Sequence, residues 1–157
     1  MFRAEQVFRR TKKFEGFRSM PYLDILGVPT IGYGATMWYG NKVTMDHPKV
    51  TKLQASRKLR GDVFQAVMDC QQLYGDSFCD ELLSDTEQEI LIHMAFQLGL
   101  TKLSKFFKMN KAIIKHDLYG WETEMQDSLW WSQTPRPAVA LYNALIEGEW
   151  TGVWVMD

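Results

Sequence analysis

The segment that most narrows what this chain can fold into is EGFRSMPYLDILGVPTIGYGAT, residues 15–36. Four of its 22 residues are glycine and two are proline. Neither residue favours a helix interior, glycine because of its backbone entropy and proline because it lacks a donor. Upstream, Val7, Phe8, Thr11 and Phe14 recur near helical spacing over residues 3–14, and Gly16 supplies a stop signal. From Tyr22 to Val43, short β-prone pieces alternate with Gly, Pro and Asn, which predicts a small antiparallel sheet with a turn at Gly40-Asn41. Into this ribbon the sequence sets a carboxylate at Glu15, another at Asp24 and a hydroxyl at Thr30. Read singly, each has a plain structural role: a helix-terminal acid, a turn former and a strand hydroxyl.

Helix resumes after Thr51, whose spacing to Gln54 forms a capping box. The stripe Leu59, Val63, Val67 and Cys70 carries that helix to about Tyr74, and Gly75 breaks it. A second capping box, Ser84 to Glu87, opens an apolar helix that ends at Gly99. Further helices are expected near 103–117, 121–130 and 135–147, the last with Thr134 as cap and Pro135 at the first position. The expected class is α+β, mainly helical, in a single domain over 1–157. A sheet lobe at about 15–50 and a helical lobe at about 75–157, which takes in helix 3–14, are joined by a long helix at about 52–74. The cleft between the lobes is the natural ligand site.

Composition removes several other classes. With 46% hydrophobic and 24% charged residues, the chain can bury a core and is not of the disordered type. No apolar run approaches the roughly 18 residues needed to span a bilayer, so membrane insertion is not expected. The N-terminal MFRAEQVFRRTKKFEG is charged throughout and has no apolar stretch of the secretory kind. Cys70 and Cys79 are too few for a disulfide framework or metal site and read as reduced structural thiols. His47, His93 and His116 show no ligand spacing, so neither metal nor organic cofactor is expected. Net charge is −1, but residues 1–60 carry 12 Lys/Arg against 4 Asp/Glu, and residues 61–157 carry 6 against 15. Two readings stand: solvated faces that attract each other, or a basic front half that meets a polyanion. No nucleic-acid motif accompanies the charge, and an anionic cell wall would serve as well.

Taken in order, Glu15-Gly16, Tyr22-Leu23-Asp24 and Gly27-Val28-Pro29-Thr30-Ile31-Gly32-Tyr33-Gly34 resemble the active-site segment of the T-even phage type of lysozyme and the wider phage endolysin family. The acid-to-acid step is nine residues and the acid-to-threonine step fifteen, as in that family. Similarity continues through Met94–Gly99, Trp130–Pro135 and Gly148-Glu149-Trp150, nearly the whole chain.

The resemblance implies a lysozyme-like fold and a muramidase, cutting the β-1,4 bond from N-acetylmuramic acid to N-acetylglucosamine in peptidoglycan. Glu15 would be the general acid, Asp24 the general base acting on water, and Thr30 the hydroxyl that holds that water. Such an arrangement favours inversion, because a water must fit between base and sugar. Thr36, Phe96 and Gln97 are candidate sugar contacts, whereas Trp130 and Trp131 read as core. The expected enzyme is monomeric and needs no cofactor. It would wait in the host cytoplasm for a membrane hole made by another phage protein, or ride on a phage tail.

Two positions depart from the family pattern. Many relatives have histidine after the strand glycine, where this chain has Ala35. Better-known relatives also carry an arginine two residues after the Q-T-P proline, where this chain has Pro137, with Arg136 one place earlier. Either Arg136 reaches Glu15 from a shifted backbone, or Glu15 lacks a cationic partner and titrates higher than in those relatives. Two rival readings accompany hydrolysis: an inactive lysozyme-like wall-binding or phage structural module, and a lytic transglycosylase that cuts the same bond without water.

Overall fold

The computed structural model describes residues 2–79 and 82–156. Met1, Asp80, Glu81 and Asp157, which the expected lobe boundaries take in, lie outside the described residues. The fold is α+β and mainly helical, with a small strand part between the first two helices.

Helix α1 (Phe2–Glu15) stops where expected, with the Gly16 amide bonded to the Lys12 carbonyl at 3.1 Å. Strands β1 (Arg18–Leu23) and β2 (Pro29–Gly32) pair antiparallel, Tyr22 opposite Thr30. Their register is irregular between Arg18 and Tyr22, the stretch containing Pro21, which has no N–H for the ladder. Strands β3 (Met37–Trp38) and β4 (Asn41–Lys42) form a second, separate pair, so the single sheet expected from the sequence is two short ribbons. Their turn is Tyr39-Gly40, not Gly40-Asn41, because Trp38 pairs with Asn41 and draws it into the strand.

Helix α2 (Lys52–Tyr74) matches its expected bounds, and both halves of the Thr51–Gln54 capping box are formed. A four-residue helix, α3 (Asp76–Cys79), follows. Helix α4 (Asp85–Ser104) begins with Ser84 accepting from the Glu87 amide. Its first, longer piece ends at Gly99 as expected, where φ +77° and ψ 163° leave helical geometry, and a short second helical piece carries Leu103 into the core. Helices α5 (Phe107–Ile114), α6 (Leu118–Gln126), α7 (Leu129–Gln133) and α8 (Pro135–Glu147) complete the helical part. Thr134 occupies the cap position of α8 with proline following, as expected, but its hydroxyl makes no capping bond and donates to the Trp130 carbonyl at 2.8 Å. The core lies mainly where α2 and α4 pack together, with α1 laid across both. Both cysteines are free; Cys70 is buried in this core and Cys79 is exposed, so only the first is a core thiol.

The chain's last turn is clamped to α1 and α4. Arg10 donates to Glu89 at 2.9 Å and to the Trp154 carbonyl, and its guanidinium lies 4.8 Å from the Trp150 ring. His93 stands edge-on to Trp150 and Trp154, with ring centroids at 5.3 and 4.9 Å. Burial, and secondarily the Arg10 charge, lowers the His93 pKa from 6.5 to about 3. Between those values the unfolded chain binds a proton that the folded chain refuses, so stability falls as pH falls through that window. The thermal midpoint is expected to decline with acid below about pH 6.5, and His93→Phe to make that decline shallower. An unchanged slope in the variant, measured by circular-dichroism melts at stepped pH, would remove His93 from this account.

Candidate active site

One cleft of about 1120 Å³ runs between the strand ribbons and the helices. Glu15 reaches it from the last position of α1. The residue is open to solvent through the cleft mouth, yet protein surrounds it on the other sides. This enclosure raises the Glu15 pKa; the Arg136 charge opposes the rise and the Asp24 charge adds to it. Gly34 lies directly against the carboxyl. A Cβ placed there would sit 3.0 Å from Glu15 Cδ and Oε2, and its φ of +78° is one that residues with side chains rarely adopt.

Asp24 lies on the turn between β1 and β2 and also lines the cleft. Its Oδ1 accepts from the Leu26 and Val28 amides at 2.8 and 2.9 Å. The turn-former and site readings are therefore compatible: one oxygen fixes the loop and Oδ2 has no protein donor among the described residues. Thr30 is placed differently. It is buried in β2, is not part of the cleft lining, and its hydroxyl donates to the Val28 carbonyl at 2.9 Å.

Thr36, Phe96 and Gln97 all line the cleft, Thr36 on the ribbon side and the other two on α4. Gln97 Oε1 accepts from the Trp130 indole at 3.1 Å. Trp130 is buried, as a core residue should be, but it also borders the cleft; Trp131 packs edge-on to Tyr142 with centroids 5.2 Å apart.

Sequence reasoning passed over the α2 wall, where Lys58, Asp62, Gln65 and Asp69 line the cleft. Their three- and four-residue spacing marks one helix face, a signal that was present beside the apolar stripe. Lys58 is nearly buried and donates to Asp62 at 2.6 Å, and Gln65 donates to Asp69 at 3.0 Å. Tyr22 also belongs to the electrostatic surroundings of the site. Burial first, then Glu15, raises its phenol pKa; Arg18, 4.3 Å from its ring, opposes this and Asp24 adds to it. Among the described residues no group of three or more His, Cys, Asp or Glu side chains could hold a metal ion.

The family model for phage lysozyme matches residues 12–141, a span that takes in both carboxylates, both ribbons and most of the helical part. The chain belongs to the phage lysozyme family. Membership makes it, in general terms, a peptidoglycan-lytic protein. No curated protein matches it. No helix among the described residues is long and apolar enough to cross a membrane.

Within this phage lysozyme family member, Arg136 acts on Glu15 although it stands one place before the family position. Its guanidinium lies 4.5 Å from the Phe14 ring, which itself stacks on Trp154 at 4.3 Å. Arg136 and Glu15 form no ion pair among the described residues, so the cation acts on the acid through its field and not by contact. Its charge lowers the Glu15 pKa, and burial outweighs it. Arg136→Gln is therefore expected to raise the Glu15 midpoint further, read by NMR titration of the side-chain carboxyl carbon. A midpoint that stays put or falls would mean that Arg136 does not act on the acid.

Proposed function

We propose that this chain is a muramidase that hydrolyses the β-1,4 bond from N-acetylmuramic acid to N-acetylglucosamine by an inverting single displacement. The observation that carries the reading is a carboxyl whose pKa is raised by enclosure, sharing one cleft with a second carboxylate fixed by two backbone amides. Two carboxyl groups in unlike surroundings are what acid and base roles require. Glu15, whose neutral acid form the enclosure favours, donates its proton to the leaving oxygen. Asp24 Oδ2 accepts a proton from water on the opposite sugar face.

Thr30 has given its hydroxyl proton to Val28, so only lone pairs remain for another partner. A water that donates one proton to Asp24 and the other to Thr30 keeps its own lone pair for the anomeric carbon. In this reading Thr30, buried in β2 behind the cleft lining, holds that water through its lone pairs. Thr36, Phe96 and Gln97 supply sugar contacts along the walls.

The test is mass spectrometry of fragments released from purified sacculi by the native protein and by Glu15→Gln. Reducing N-acetylmuramic acid ends, reduced about 10²–10⁴-fold in rate in the variant, are the expected outcome. Anhydro ends would assign a lytic transglycosylase, and binding without release would assign an inactive wall-binding module. Proton NMR of the first product formed should show the α anomer; an initial β anomer would sink the inverting step. A second variant probes the geometry. Gly34→Ala must shift the Glu15 carboxyl by a few tenths of an ångström and strains a backbone of φ +78°, so a lower rate is expected; a variant of native rate would show that the carboxyl can yield without loss.

A further inference from the structure

The β3–β4 turn contains a residue that local conformation does not favour. Tyr39 has φ +46° and Gly40 φ +89°. Positive φ at both central positions is the type I′ pattern, which favours Asn-Gly, and a bulky side chain in the first position is strained. The tyrosine is also 67% exposed. An exposed aromatic in a strained turn, where asparagine would sit without strain, suggests a use for the ring.

Its surroundings hold it in place. Tyr39 packs edge-on to Trp38 at 5.7 Å and 90°, and Trp38 in turn packs on His47 at 5.4 Å and against the core. On the α2 side, Lys58 Nζ lies 5.8 Å from the Tyr39 ring, and Lys58 lines the cleft. Met37, two residues before Tyr39, lines it too. The cleft follows α2 from Lys58 to Asp69, a path of roughly 16 Å at the helical rise. Tyr39 stands at the Lys58 end of that path, just past the lining. A polymer lying in the cleft must leave it at such an end.

We infer that Tyr39 is a stacking platform for a sugar ring of the glycan strand where the strand leaves the cleft, an outer subsite that lengthens the path beyond Lys58. The sugar faces of a peptidoglycan glycan present C–H groups that pack on the electron-rich face of an aromatic ring. A tyrosine with few rotatable bonds, already propped by Trp38, loses little entropy on contact. The inference rests on the muramidase reading, since it takes the glycan as occupant of the cleft.

The test uses full-length Glu15→Gln protein, so that bound strands are not cut, with and without Tyr39→Asn or Tyr39→Phe. Calorimetric affinities are measured for peptide-free peptidoglycan glycan strands sorted by length. The ratio of long-strand to short-strand affinity is expected to fall about 3- to 10-fold in Tyr39→Asn, the range of one aromatic contact. Tyr39→Phe should restore the ratio, because the ring is what stacks. Thermal melts separate this from misfolding: asparagine suits the turn, so its midpoint should not fall. An unchanged ratio in Tyr39→Asn overturns the platform and leaves the muramidase reading intact. No binding of any strand by the Glu15→Gln parent overturns both.

Discussion

The arrangement of the site depends on how closely backbone can approach its neighbours along the strand-and-turn run from Thr30 to Gly34. A Cβ at Gly32 would sit 3.2 Å from the Ala55 Cβ on α2, and one at Gly34 would sit 3.0 Å from the Glu15 carboxyl. Two missing side chains thus bring one short run against the long helix and against the acid. Ile31 and Tyr33, between and beside them, are buried and tie the run to the core. The isolated pairing of Ile31 with Ala35 then folds the run back on itself, both backbone bonds 2.9 Å long. A methyl at either glycine would press on α2 or on Glu15 and shift it by a few tenths of an ångström.

Electrostatics at Glu15 is a contest decided by solvent access. Desolvation favours the neutral acid, and so does Asp24, whereas Arg136 favours the carboxylate. The cation is exposed and rests on Phe14, so water screens it, and it moderates the shift without reversing it. Phe14 also stacks on Trp154, whose carbonyl accepts from Arg10. The chain's last turn therefore supports the ring on which the cation sits, and a change far along the sequence can reach the acid through two aromatic contacts.

Elements with strong local signals were legible in the sequence. Helix α2 begins at a reciprocal cap and ends at a glycine, and both limits were readable. The turn between β3 and β4 was misread by one residue because Gly and Asn announce a turn, while its register is set across the strands by the Met37–Lys42 and Trp38–Asn41 pairs. Gly99 ends the first piece of α4 as its residue type suggests, and a separate short helical piece then carries Leu103 into the core. At the site, residue order pointed to Glu15 and Asp24, but no spacing could show that Thr30 turns its hydroxyl to Val28. Nor could it show that Arg136 finds Phe14. The first is a choice of local side-chain conformation, the second a tertiary contact.

The charge asymmetry has a similar resolution. Arg3–Asp85, Arg10–Glu89 and Lys58–Asp62 each join a cation of the basic front part to an anion of the acidic remainder. The Arg10–Glu89 pair is mostly buried and also anchors the chain's last turn, so it fixes geometry; the exposed Arg3–Asp85 pair adds little stability. Three of the front part's twelve cations are thus matched by the acidic remainder of the chain. The lysines on the opposite wall of the cleft, Lys102, Lys105 and Lys108, come from the half whose balance is negative, and none is ion-paired among the described residues. Net charge by sequence half is thus a poor guide to the charge a ligand meets. What the ligand meets is set by which side chains the fold has already paired.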